Sequence, residues 1–320
     1  MKLRIISENQ NKLRNLLQSF IFDCEAKNLS PKTISWYSEL LNQFLTFLSK
    51  KFDAEYVYKV TTQHIREYIN YLKQKPVINN VTGSIMKIGL SSHSIRDNFA
   101  AIRVFFNFLE NENYIQNNPV KPLKAPRQEK KIINTLTLEQ IKKLLRTADK
   151  KTYFGFRDYV IMCAFLDTGI RLNELSNLKN DDINFAENYF IVYGKGKKER
   201  VIPISSKLKR LFFKLIEKSR YQYQDYLFVD KYGEKLSGSA IRQMVKRLGK
   251  KAGIKNVRLS PHTFRHTFAK MWILNGGDAF SLQKILGHTT MDMVRNYVNL
   301  ASEDIKVQHR KFSPLDRIGL

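Results

Sequence analysis

Only two of the 320 residues are cysteine, Cys24 and Cys163, and both stand far apart in apolar, helix-patterned surroundings. That excludes a disulfide framework or a cysteine metal cluster, and the two read as buried thiols of a reducing cytoplasm. Long apolar runs are missing: no stretch approaches the ~18 residues of a membrane-spanning helix. Met1 to Gln10 has no apolar core of the kind a signal peptide needs. Neither terminus offers a basic amphipathic anchor or a lipidation signal, so no membrane partner is expected. Internal repeats and low-complexity tracts are absent as well. Acidic residues are the scarcest class relative to their counterpart, 29 Asp and Glu against 55 Lys and Arg, for a net charge of +26. The remaining composition, 43% hydrophobic and 26% charged, is that of a folded globular protein. A cationic excess of this size draws polyanions. Nucleic acid comes first, because each neutralised phosphate releases condensed counterions.

Apolar periodicity divides the chain. Residues 9–27 carry Leu13, Leu16, Leu17, Phe20 and Ile21 at helical spacing. Ser30-Pro31 supplies an N-cap and a first-turn proline for a second helix through Leu48. Thr61 or Thr62 opens a third through Leu72, and a loop with Pro76, Asn79, Asn80 and Gly83 leads to a fourth from Ser92. This predicts a helical domain over 1–116. The segment 117–134 holds three prolines and many Lys and Arg, and reads as an extended basic linker. A capping box at Thr137 to Gln140 starts a second domain over 135–320. It is mostly helical, with a β-hairpin formed by Asp181–Tyr193 and Arg200–Ile204 around Gly194-Lys195-Gly196-Lys197. Further helices are expected at 290–299 and 302–312. The fold class is therefore mainly α with a small β-sheet, an α+β arrangement, and both halves carry a basic excess.

Five stretches hold groups able to engage a phosphodiester. In Thr168-Gly-Ile-Arg171-Leu-Asn-Glu174, a guanidinium at a helix start faces an anion while Glu174, three residues on, holds its plane. The plain alternative is an exposed ion pair worth a few tenths of a kcal/mol. On the glycine turn Gly194-Lys195-Gly196, a lysine reaches into a cleft and gives up a proton if neighbouring cations lower its pKa. In Ser260-Pro-His262-Thr-Phe-Arg265-His266, an imidazole and a guanidinium lie one turn apart at the positive end of a capped helix, an arrangement suited to phosphate. His266 at i+4 from His262 also admits a two-histidine metal site, but the zinc-peptidase pattern needs Glu where Thr263 stands. His288 follows a helix-ending Gly287, where capping or core packing is the plain reading. Tyr297 lies nine residues further, and its phenol needs cationic neighbours to become a nucleophile.

Taken in order, Arg171, Lys195, His262, Arg265, His288 and Tyr297 resemble the active-site set of the tyrosine recombinases, the phage-integrase family. The matching text is TGIRLNELSNL, YGKGKKERVIPI, LSPHTFRHTFA and LGHTTMDMVRNYV, and LSPKTISWYSELLNQFLTFL resembles the family's core-binding domain. The resemblance implies a site-specific DNA recombinase. In it, Arg171, Arg265, His262 and His288 hold the non-bridging oxygens of the scissile phosphate, with Glu174 supporting Arg171. Lys195 protonates the departing 5′ hydroxyl, and Tyr297 attacks to leave a 3′-phosphotyrosyl bond. It implies no cofactor, metal or ATP, because the covalent link conserves the phosphodiester energy and the cations stabilise the transition-state charge. With no arm-binding domain expected and 23 residues from Arg265 to His288, the chain resembles the short Xer-like and transposon-borne members. The implied partner is double-stranded DNA, bound by a homotetramer, or a heterotetramer with a related recombinase, on two duplexes. The final helix is expected to dock on a neighbouring subunit or pack in cis. The rival readings are a type IB topoisomerase that relaxes DNA without exchanging partners, and a non-catalytic DNA-binding relative.

Overall fold

The structure is a computed structural model that describes residues 11–79, 82–128, 134–194, 199–219 and 225–287, together with Thr290, Met291, Val294, Arg295, Tyr297, His309 and Ser313. The chain divides into two compact units, Met1–Lys131 and Ile132–Leu320.

The first unit is a helical bundle of α1 (Leu13–Ala26), α2 (Pro31–Phe52), α3 (Thr62–Gln74) and α4 (Ser92–Asn111). Ser30, Thr61 and Ser91 each accept an N-terminal amide of the helix they open, and Pro31 occupies the first turn of α2. Leu16, Phe20, Phe44, Leu48, Leu72, Phe99, Phe105 and Phe106 form one core. Within it Tyr68 donates to Asn98 at 3.0 Å, and Asn98 donates to the Ser94 carbonyl at 2.9 Å, so two buried polar side chains satisfy each other. Cys24 is buried in this unit, Cys163 is half-buried in the other, and both thiols are free.

Two sequence expectations need correction here. The loop after α3 is an antiparallel hairpin of β1 (Pro76–Ile78) and β2 (Ile85–Ile88). The strands are short, β2 is exposed throughout and only Val77 of β1 is half-buried, so there is too little alternation to mark a strand in sequence. The segment from Asn117 does not begin as an extended linker. Val120 is buried in the core of the first unit, Asn118 accepts from the Val120 amide at 3.0 Å, and Thr62 donates to the Pro119 carbonyl at 2.8 Å. Val120, with Leu123 and Ala125 packed against the same core, outweighs the prolines around it.

The second unit packs α5 (Leu138–Leu145), α6 (Tyr153–Thr168), α7 (Leu172–Ser176), α8 (Ser206–Glu217), α9 (Gly238–Lys251), α10 (Pro261–Leu274) and α11 (Ala279–Leu286) with one small sheet. That sheet, in the order β3 (Ile183–Asn184), β4 (Tyr189–Tyr193), β5 (Glu199–Pro203), is antiparallel throughout, with Val192 opposite Arg200. Phe165, Phe190, Phe212, Phe228 and Phe264 are buried in its main core. A smaller apolar cluster gathers Phe268, Ala269, Leu282, Leu286, Val294 and Tyr297. Helix α10 thus belongs to both clusters, with Phe264 in the first and Phe268 in the second. Among the described residues no helix is long and apolar enough to cross a membrane. The expected helix 302–312 lies outside the described residues apart from His309, and much of 290–299 does too.

Candidate active site

The site is built around two helix ends. Helix α6 stops at Gly169 and α11 at Gly287, each with the positive φ (60° and 62°) that a glycine adopts without strain. Their carbonyls sit at the negative ends of helices, where cations are favoured, and arginines take them. Arg265 donates to the Gly169 carbonyl at 2.6 Å and to the Leu286 carbonyl at 2.6 Å. Arg200 donates to the same Leu286 carbonyl at 2.7 Å, and Arg171 to the Gly287 carbonyl at 2.8 Å.

Glu174 completes the array. It accepts from the Arg171 backbone amide and guanidinium, both at 2.9 Å, and from the Arg200 guanidinium at 2.7 Å. Its side chain is 4% exposed and that of Arg171 40% exposed, so the pair is not the solvated surface contact that spacing alone allowed. One buried carboxylate therefore stands among three guanidiniums, and the cluster keeps a positive balance. Burial, with the Arg171 and Arg200 charges, lowers the Arg265 pKa to about 10. Burial also lowers that of Arg200, against the pull of Glu174. Both shifts express the cost of bringing like charges together in a desolvated place, a cost that an anion among them would offset.

Helix α10 brings the histidines. Ser260 caps it through the Thr263 amide and Pro261 fills the first turn, as the sequence predicts. His262 and buried Arg265 stand one turn apart on this helix. Partial burial, and then the Arg265, Arg171 and Arg242 charges, hold His262 below the usual imidazole range. His266 is held low by burial and by His262 and Arg265. Tyr297, 2% exposed, is packed in the smaller cluster, and its hydroxyl lies 2.7 Å from His266 Nδ1. Burial raises the Tyr297 pKa, and the Arg265 charge works in the opposite direction.

Of the residues singled out in the sequence, Arg171, Glu174, His262, Arg265 and Tyr297 fall in this one region of the second unit. Lys195 and His288 lie outside the described residues; in sequence Lys195 falls between β4 and β5, and His288 follows Gly287. Two participants carry no such mark in the sequence. Arg200 stands in its motif without a role, and a side chain on an alternating strand gives no hint that it reaches Glu174. His266 reads from spacing only as a metal ligand, and its contact with Tyr297 depends on a 31-residue separation that no periodicity encodes.

Known proteins place the chain. The phage integrase family model matches residues 134–304, and the model for the N-terminal SAM-like domain of phage integrases matches residues 16–116. The chain is 30% identical over 293 residues to the tyrosine recombinase XerD of Staphylococcus aureus, covering 90% of this chain and 94% of that one. It is 30% identical over 296 residues to the tyrosine recombinase XerC of Oceanobacillus iheyensis, covering 90% and 92%. Among solved structures, the XerH site-specific recombinase bound to a palindromic difH substrate has the same fold, with a TM-score of 0.71 at 22% identity over 92% of this chain and 83% of that one. The chain belongs to the phage integrase family and is a Xer-like tyrosine recombinase, an enzyme of site-specific DNA recombination.

Proposed function

We propose that this recombinase cleaves and rejoins DNA strands through a covalent 3′-phosphotyrosyl link to Tyr297. Arg171, Arg265 and His262, joined by His288, hold the non-bridging oxygens of the scissile phosphate. Glu174 fixes the Arg171 plane, and Lys195 gives its proton to the departing 5′ oxygen. The observation that carries this reading is the Leu286–Gly287 turn, whose two carbonyls hold three guanidiniums in place before any substrate arrives. Preorganised cations stabilise charge as it develops on the phosphorane and need no reorganisation during the reaction. The arginines supply the positive charge that a metal ion supplies in other phosphoryl transfers, and the covalent link stores the bond energy, so the chemistry needs neither metal nor ATP.

The helical first unit acts as the core-binding domain on duplex DNA. Four copies of this chain, or two with two of a related recombinase, assemble on two duplexes, and the reaction takes place in the cytoplasm. The test is covalent trapping. The protein is incubated in EDTA with nicked duplex fragments from its own genomic neighbourhood, denatured, and the attached DNA is sequenced. A 3′ end linked to Tyr297 at one recurrent sequence is expected, and none with Tyr297→Phe, which keeps DNA binding. An adduct persisting in that variant would reject Tyr297 as nucleophile, and adducts scattered over many sequences would point to DNA relaxation without partner exchange.

A further inference from the structure

The geometry points to His266 as a catalytic residue: the base that takes the phenolic proton of Tyr297 as its oxygen attacks phosphorus. The proposal rests on Tyr297 being the nucleophile and adds the route by which its proton leaves.

The Tyr297 hydroxyl is buried, so its proton passes to a neighbouring protein group and not to bulk water. His266 Nδ1 stands 2.7 Å from that oxygen, inside the reach required of a general base. With the proton of the neutral imidazole on Nε2, Nδ1 accepts from the phenol. The two rings are tilted at 44° with centroids 5.7 Å apart, so they are not stacked face to face. His266 is the residue after Arg265, and α10 thereby places the base beside a guanidinium of the phosphate site. Among the described residues, the titratable and charged groups facing it are His262 and Arg265 on its own helix and Tyr297 opposite; burial first, and then any proton on His262 and the Arg265 charge, favour the neutral ring that a base requires. Burial keeps the phenol protonated at rest, so the tyrosine needs such a partner at the moment of attack.

The step balances. A lone pair of the Tyr297 oxygen forms the new O–P bond while the phenolic proton moves to His266 Nδ1. The P–O5′ bond breaks, and the 5′ oxygen receives its proton from Lys195. In religation the 5′ hydroxyl returns its proton to Lys195 and attacks, and the departing phenolate is reprotonated by the His266 imidazolium.

The test measures single-turnover cleavage of a nicked duplex by the full chain across pH, for wild type, His266→Ala and His266→Gln, with DNA affinity measured alongside. Both variants are expected to bind DNA as wild type does and to cleave about 10²–10⁴-fold more slowly near neutral pH. The acid-side fall in the wild-type rate disappears in both, and free imidazole accelerates His266→Ala. Wild-type rates in either variant would overturn the proposal. So would a slow His266→Ala whose rate ignores imidazole and keeps the acid-side fall, since that marks a packing role. Peptide mapping of the trapped adduct separates the two readings. Attachment at another residue rejects Tyr297 itself, whereas attachment at Tyr297 with unaltered His266 kinetics rejects only the base.

Discussion

Gly287 and Arg200 face each other so closely that a methyl group on Gly287 would overlap the Arg200 guanidinium Nη1. The same glycine holds φ at 62° and offers its carbonyl to Arg171. Its missing side chain therefore serves two ends, a left-handed helix stop and the close approach of an arginine to the Leu286 carbonyl.

Gly287→Ala is expected to lose about 1–3 kcal/mol of stability from backbone strain. It should also lose cleavage well beyond what that implies, because a displaced turn moves the acceptors of three arginines together. Chemical denaturation read against single-turnover cleavage checks this. Cleavage that falls only in proportion to stability would show the turn to be structural alone.

Arg200 ties the same turn to the buried carboxylate. Removing it leaves Glu174, buried at 4% exposure, with one guanidinium where it had two. Arg200→Met is expected to destabilise the second unit by about 1–3 kcal/mol, the cost of leaving a buried acceptor without one of its donors while Arg171 still pairs with the carboxylate. Glu174→Gln in the same background should then cost far less than it does alone. A double-mutant cycle gives the coupling, and additive effects would mean that the contact carries no energy.

The helices of both units were legible because they announce themselves locally. Ser30-Pro31, Thr137 to Gln140 and Ser260-Pro261 each combine a cap with the start of an apolar stripe, and each opens a helix in the structure. The β1–β2 hairpin was not legible, since exposed strands such as Ile85–Ile88 have no burial alternation to read. Val120 was missed because so few apolar positions show no period. In the site, Arg171 with Glu174, and His262 with Arg265, are helical neighbours and could be paired from spacing. Arg200 with Leu286 and His266 with Tyr297 are tertiary contacts across 86 and 31 residues, and only the fold brings them together.

In the first unit, Tyr68 and Asn98 satisfy each other inside the core. Tyr68→Phe removes the donor and strands the Asn98 oxygen, at an expected cost of about 1–3 kcal/mol. Asn98→Leu in the Tyr68→Phe background removes the stranded oxygen and should recover part of that loss. Urea midpoints of the two variants decide it, and a midpoint unmoved by Tyr68→Phe would mean the bond adds nothing net.

If His262 holds the phosphate as proposed, the folded protein and its DNA complex are expected to respond to acid in opposite directions. His262 and His266 are both held below the usual imidazole range. In the unfolded chain they titrate near ~6.5. Between that value and their lower folded values, the unfolded state binds more protons, so stability rises with pH across this window. The contribution is complete above ~6.5 and is lost as pH falls through the folded values. An anionic phosphate beside His262 reverses the bias, because a nearby negative charge favours the imidazolium. DNA binding is thus expected to take up protons on the acid side of neutrality, and affinity to rise as pH falls, while the melting temperature of the free protein declines over the same range. Calorimetry at about pH 6, just below the ordinary imidazole value, in two buffers of different ionisation enthalpy, measures the uptake directly. His262→Asn should abolish most of it, and an uptake unchanged by that substitution would remove His262 from the phosphate.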